Sequence, residues 1–141
     1  MKNFILIAAA IFASNIASAN ELVVTAGKGK AATVLSLDLV SSGDAAAFQV
    51  VIETGLKDAS LVDVSACVSA INATGRSGSC SFKDGQIRLA VISPDGSALP
   101  KGAVNVGKIV LKATGAATSV SNFEAFDKVG NNVAASTANV Q

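Results

Sequence analysis

Few residues in this chain could do chemistry, and the first to consider are its only two cysteines, Cys67 and Cys80. Their spacing is not the C-x-x-C of a redox dithiol. In an oxidising compartment such a pair joins, which predicts a disulfide; two free buried thiols are the alternative. Closing a loop of this length restricts the unfolded chain by on the order of 3 kcal/mol. The sequence contains no His, no Trp and no Tyr. Without imidazole, serine triads and zinc hydrolase sites lose an essential member. Two carboxylates alone can cleave glycosides. Here, however, the 10 Asp and Glu are scattered among turns and strand faces, and no pair is marked out. The reading is a non-catalytic chain. Asp127, Asn131 and Asn132 offer oxygens of the kind Ca²⁺ takes, but not at EF-hand spacing. A hydrogen-bonded turn is the preferred reading there, and no cofactor is expected. Asn72-Ala73-Thr74 matches a glycosylation sequon and reads as loop chemistry.

The N-terminus carries a different signal. Lys2 is followed by the apolar run 4–12 (FILIAAAIF) and then by Ala17-Ser18-Ala19. A positive start, a short apolar stretch and a small-x-small site form an export leader, here cut after Ala19. The run falls short of the roughly 20 residues that span a bilayer. The predicted organisation is therefore a signal peptide, 1–19, and one domain, 20–141, secreted or periplasmic. The chain has 11 Lys and Arg against 10 Asp and Glu, so losing Lys2 leaves the domain uncharged overall. No basic stripe marks a nucleic-acid binder.

The elements that must position these residues read as strands. Period-2 alternation recurs between turn signals. Residues 21–26 form a first run, and 32–40 a second with Leu35, Leu37 and Leu39 on one face. In 47–54, Phe48, Val50 and Ile52 point one way and Gln49, Val51 and Glu53 the other. Residues 69–79, rich in Gly, Ser, Ala and Asn, read as an exposed loop held at its base by the cysteines. Asp84-Gly85 is a tight-turn signal. It leads into 86–93, with Ile87, Leu89 and Val91 inward and Arg88 and Ala90 outward. Runs at 104–114, 119–127 and 133–140 complete eight or nine short strands. This is the pattern of an all-β sandwich with jelly-roll topology. The four phenylalanines beyond the leader, Phe48, Phe82, Phe123 and Phe126, are expected inside.

Three passages carry a family resemblance. Ala47-Phe48-Gln49-Val50-Val51-Ile52 with Leu61 and Val64 is the first. Gly85-Gln86-Ile87-Arg88-Leu89-Ala90 is the second. Gly107-Lys108-Ile109-Val110-Leu111-Lys112-Ala113, followed by Phe123-Glu124-Ala125-Phe126-Asp127 and Gly130-Asn131-Asn132-Val133, is the third. In this order they resemble the cohesin domains and their relatives among the carbohydrate-binding modules, over residues 22–140. Thr54-Gly55 stands where an aromatic and an acid are common, and the Cys67 to Cys80 loop is not a usual feature of that family.

The resemblance implies a nine-stranded jelly-roll sandwich that docks a protein partner, such as a dockerin-bearing one, on one flat sheet face. With both middle strands in one sheet, that face would hold Gln49, Val51, Glu53, Arg88 and Ala90. A polysaccharide ligand is the alternative, although sugar-stacking Trp and Tyr are missing. A structural subunit of a surface fibre is the third reading.

Overall fold

A computed structural model describes residues 19–113, 118–137 and 140 of the chain. Apart from Ala19, the expected leader lies outside the described residues. Among the described residues ten strands follow one another: β1 Asn20–Lys28, β2 Thr33–Ser41, β3 Ala47–Glu53, β4 Val62–Asp63, β5 Ser77–Lys83, β6 Gln86–Ile92, β7 Gly102–Leu111, β8 Ser119–Phe126, β9 Asn132–Val133 and β10 Ala135–Thr137. A 3-10 turn, Ala59–Leu61, and a one-turn helix, α1 Ser69–Asn72, interrupt them. The strands form two five-stranded sheets, β10-β1-β2-β7-β4 and β5-β6-β3-β8-β9. This is the expected β-sandwich. No helix among the described residues is long and apolar enough to cross a membrane.

Alternation builds the core between the sheets. Leu22 and Val24 on β1 and Leu35, Leu37 and Leu39 on β2 face inward from one layer. Phe48, Val50 and Ile52 on β3 and Ile87, Leu89 and Val91 on β6 meet them from the other. Burying each such side chain stabilises the fold by about 1.5–3 kcal/mol. The β5–β6 hairpin closes through Asp84 and Gly85, with φ of 53° and 82°. Two consecutive left-handed residues make the turn whose twist matches its flanking strands, and glycine takes that conformation without strain.

The stretch 133–140, read above as one strand, is divided. β9 pairs with β8 in one sheet and β10 runs parallel to β1 in the other, so the chain changes layers at Ala134. The stretch 69–79 is not a plain loop either. Ile71 of α1 is fully buried, and β5 already begins at Ser77. One apolar residue among small polar ones gives no period to read, yet it anchors the helix. Cys67 and Cys80 form the expected disulfide, with Cα atoms 6.3 Å apart. It ties the segment before α1 to strand β5.

Phe126 corrects the expectation that all four phenylalanines point inward. Val120 and Phe123 pack against the core, and Phe123 meets Phe48 edge-on with centroids 6.1 Å apart. Between them β8 bulges: Asn122 has φ 50° and the register against β3 shifts. The extra residue reverses the alternation. Ala125 therefore points inward, and Phe126 shares the outer face with Glu124.

Candidate functional site

The outer face of the second sheet is set by the β3–β6 register. Gln49 lies opposite Ala90, Val51 opposite Arg88 and Glu53 opposite Gln86. Because Phe48, Val50 and Ile52 turn into the core, Gln49, Val51 and Glu53 must turn out, with Arg88 and Ala90 beside them. The five predicted residues thus stand together on one surface. β8 adds Glu124 opposite Gln49 and Ser121 opposite Val51. β5 adds Ser79 opposite Ala90 and Ser81 opposite Arg88.

Polar side chains hold one another across these strands. The Gln49 Nε2 amide donates to Glu124 Oε1 at 2.7 Å. Arg88 Nη2 donates to Gln86 Oε1 at 3.1 Å, and Gln86 Nε2 donates to Glu53 Oε2 at 2.9 Å. Between these two bonded groups lies a shallow concavity of about 440 Å³. Val51 and Ala90 line it, with Ser79, Ser81, Asn122 and the stems of Gln49 and Arg88 around them. Chemically the surface offers short side chains on a broad floor with fixed donors and acceptors at its edges. Such a surface can exclude water from a partner but offers no nucleophile paired with a base.

No family model matches the sequence, and a search of curated proteins finds no match. Solved structures do match in shape. A non-cellulosomal cohesin from the hyperthermophilic archaeon Archaeoglobus fulgidus aligns with a TM-score of 0.59 at 12% identity, covering 85% of this chain and 88% of that one. The type II cohesin A11 from Bacteroides cellulosolvens aligns with a TM-score of 0.59 at 9% identity, over 86% and 96% of the two chains. A type I cohesin–dockerin complex from Clostridium thermocellum contributes a chain aligning at 0.54 and 13% identity, over 92% and 96%. This chain has the cohesin fold.

In this cohesin fold, the surface extends beyond the five predicted residues. Ala47 pairs with Ile92 on one side and Phe126 on the other. Ile92, Ala47 and Phe126 therefore form one cross-strand row, with Ile92 53% exposed. Parity within Gln86–Ile92 already places Ile92 beside Arg88 and Ala90, so that residue was legible. Phe126 was not, because the bulge at Asn122 has no alternation signal of its own.

The other singled-out residues have structural partners. Asp127 Oδ1 accepts from the backbone N–H of Val129 at 3.0 Å and of Asn131 at 2.9 Å, which makes the 127–131 segment a hydrogen-bonded turn. Asn72 Oδ1 accepts from Gly78 N at 2.7 Å, so the sequon's asparagine ties α1 to β5. Thr54 is buried, and its hydroxyl donates to Gly85 O at 3.0 Å, fastening β3 to the hairpin.

Proposed function

We propose that residues 20–141 are an exported, non-catalytic module that binds a protein partner on the outer face of β5, β6, β3 and β8. The observation that carries this reading is the arrangement of that face. Val51, Ala90 and the β5 serines form a floor, and the Gln49–Glu124 and Glu53–Gln86–Arg88 hydrogen bonds order its edges. Side chains already held in place lose less freedom when a partner arrives. Similarity in fold to cohesins, one of them in a cohesin–dockerin complex, supports a dockerin-like partner. A protein is favoured over a polysaccharide because Phe48, Phe82 and Phe123 pack on the core, so that Phe126 alone among the described phenylalanines lies on this face and sugars have no row of rings to stack on. The leader pattern supports export, and so does the disulfide, a bond that persists in oxidising compartments.

The test compares Val51→Arg and Ala90→Arg with Ser36→Arg, which lies exposed on the opposite sheet. Dockerin-bearing proteins secreted by the same organism are titrated calorimetrically against each variant. Both face variants should weaken binding by about thirtyfold or more, the loss typical of a central contact. Ser36→Arg should bind as the parent does. Face variants that bind like the parent, or a parent that binds glycans and no dockerin, would refute the proposal.

A further inference from the structure

The export reading has a structural consequence at its cleavage point. Asn20, the first residue after the proposed cut, is fully buried at the start of β1. Its backbone nitrogen, the nitrogen of the Ala19–Asn20 amide, donates to Ala134 O at 2.9 Å. Its side chain is held by two segments, the β2–β3 connection and the β9–β10 connection. Nδ2 donates to Asp44 Oδ1 at 3.0 Å and to Ala134 O at 3.1 Å, while Oδ1 accepts from Ser42 N at 3.1 Å. A peptidase must draw the bond it cuts into its own cleft as extended, unpaired chain. Here the residue on one side of that bond already belongs to a sheet and to a side-chain network.

We infer, on the strength of that export reading, that the folded domain hides its own processing site, so the leader must be removed before β1 pairs with β10, and the released amine then becomes a contact of the fold. The step is a hydrolysis. Water attacks the Ala19 carbonyl carbon and the C–N bond to Asn20 breaks. The water oxygen stays on Ala19, which leaves as a carboxylate, and both water protons pass to the Asn20 nitrogen, turning the amide N–H into an ammonium. That nitrogen keeps an N–H for Ala134 O, now as a charged and stronger donor. Burying an ammonium is costly without an opposing charge. The negative charge attached to this residue is the exposed Asp44 carboxylate, which accepts from the Asn20 side-chain amide. It is held below the ordinary carboxyl range by the Ser42 hydroxyl and the Asn20 amide.

The experiment uses the full 141-residue precursor, folded in detergent micelles, a peptide spanning residues 8–30, and a purified leader peptidase. The peptide should be cut between Ala19 and Asn20, and the folded precursor at least about tenfold more slowly, since cleavage must wait for local opening. Precursor cut as fast as peptide overturns the inference and leaves the export reading standing. A peptide not cut at this bond overturns both. A second measurement uses the processed domain, residues 20–141. An amine-reactive ester should modify the Asn20 amine at least about tenfold more slowly in folded than in urea-unfolded protein. Equal rates would show the amine lies outside the fold and refute its role as a contact.

Discussion

Replacing Gly107 with alanine tests the packing of the segment that carries the disulfide. Gly107 is buried on β7, and a Cβ built there would fall inside the carbonyl oxygens of Ala66 and Cys67. Those atoms belong to a backbone held on several sides. Cys67 N donates to Val64 O at 3.0 Å, Lys108 N donates to Ala66 O at 3.0 Å, and Cys67 is bonded to Cys80. Overfilling a packed site costs about 1–3 kcal/mol. Displacing residues 66 and 67 also breaks the Lys108–Ala66 hydrogen bond, about 1 kcal/mol more. The expected loss is therefore about 3–4 kcal/mol, near the upper end because backbone cannot swing aside as a side chain can. With a urea m-value of about 2 kcal/mol/M, the unfolding midpoint should fall by about 1.5–2 M. Gly27→Ala is the control. A Cβ there meets only Val34 O at an ordinary 3.7 Å, so its change should stay within about 0.5 kcal/mol. A Gly107→Ala protein as stable as the Gly27→Ala protein would refute the steric reasoning.

Two further outcomes are expected. Replacing both Cys67 and Cys80 with serine should lower stability by about 3 kcal/mol through the freed loop of the unfolded chain, read from urea midpoints; alkylation and mass analysis of the unreduced protein should show no free thiol, and two would contradict the disulfide. Asp44→Asn should lower the urea midpoint at neutral pH, with the gap closing in acid. The folded pKa of Asp44 lies below its ordinary 3.8, chiefly through the Ser42 hydroxyl and then the Asn20 amide. Its stabilising contribution is therefore present above that ordinary value and lost as pH falls through the folded one. A difference that persists undiminished at pH 2 would show that the carboxylate charge is not the cause.

The strands with strict alternation were readable because each has one wet and one dry side. Leu35, Leu37 and Leu39, Phe48, Val50 and Ile52, and Ile87, Leu89 and Val91 all lie where their spacing puts them. That same parity set Gln49, Val51, Glu53, Arg88 and Ala90 on the opposite side, and the β3–β6 pairing brought them together. What escaped the sequence depends on partners far along the chain. The bulge at Asn122 is a misfit between β8 and β3, so nothing local announces that Phe126 points outward. Ile71 is buried because α1 packs beside β7 and β5, elements that come later. The division of 133–140 likewise follows from two different neighbours, β8 for β9 and β1 for β10.

The parallel pairing of β1 with β10 also places a clock on folding. Asn20 lies opposite Ala135, more than a hundred residues onward, so the first strand cannot be completed until almost the whole chain has emerged. Sheets assembled from such distant pairings form over about milliseconds to seconds, far more slowly than local hairpins. The delay keeps the amide ahead of Asn20 open until late in folding and closes it afterwards. On the proposed export reading, the order of strands itself would set the interval in which the leader is trimmed, without any separate timing device.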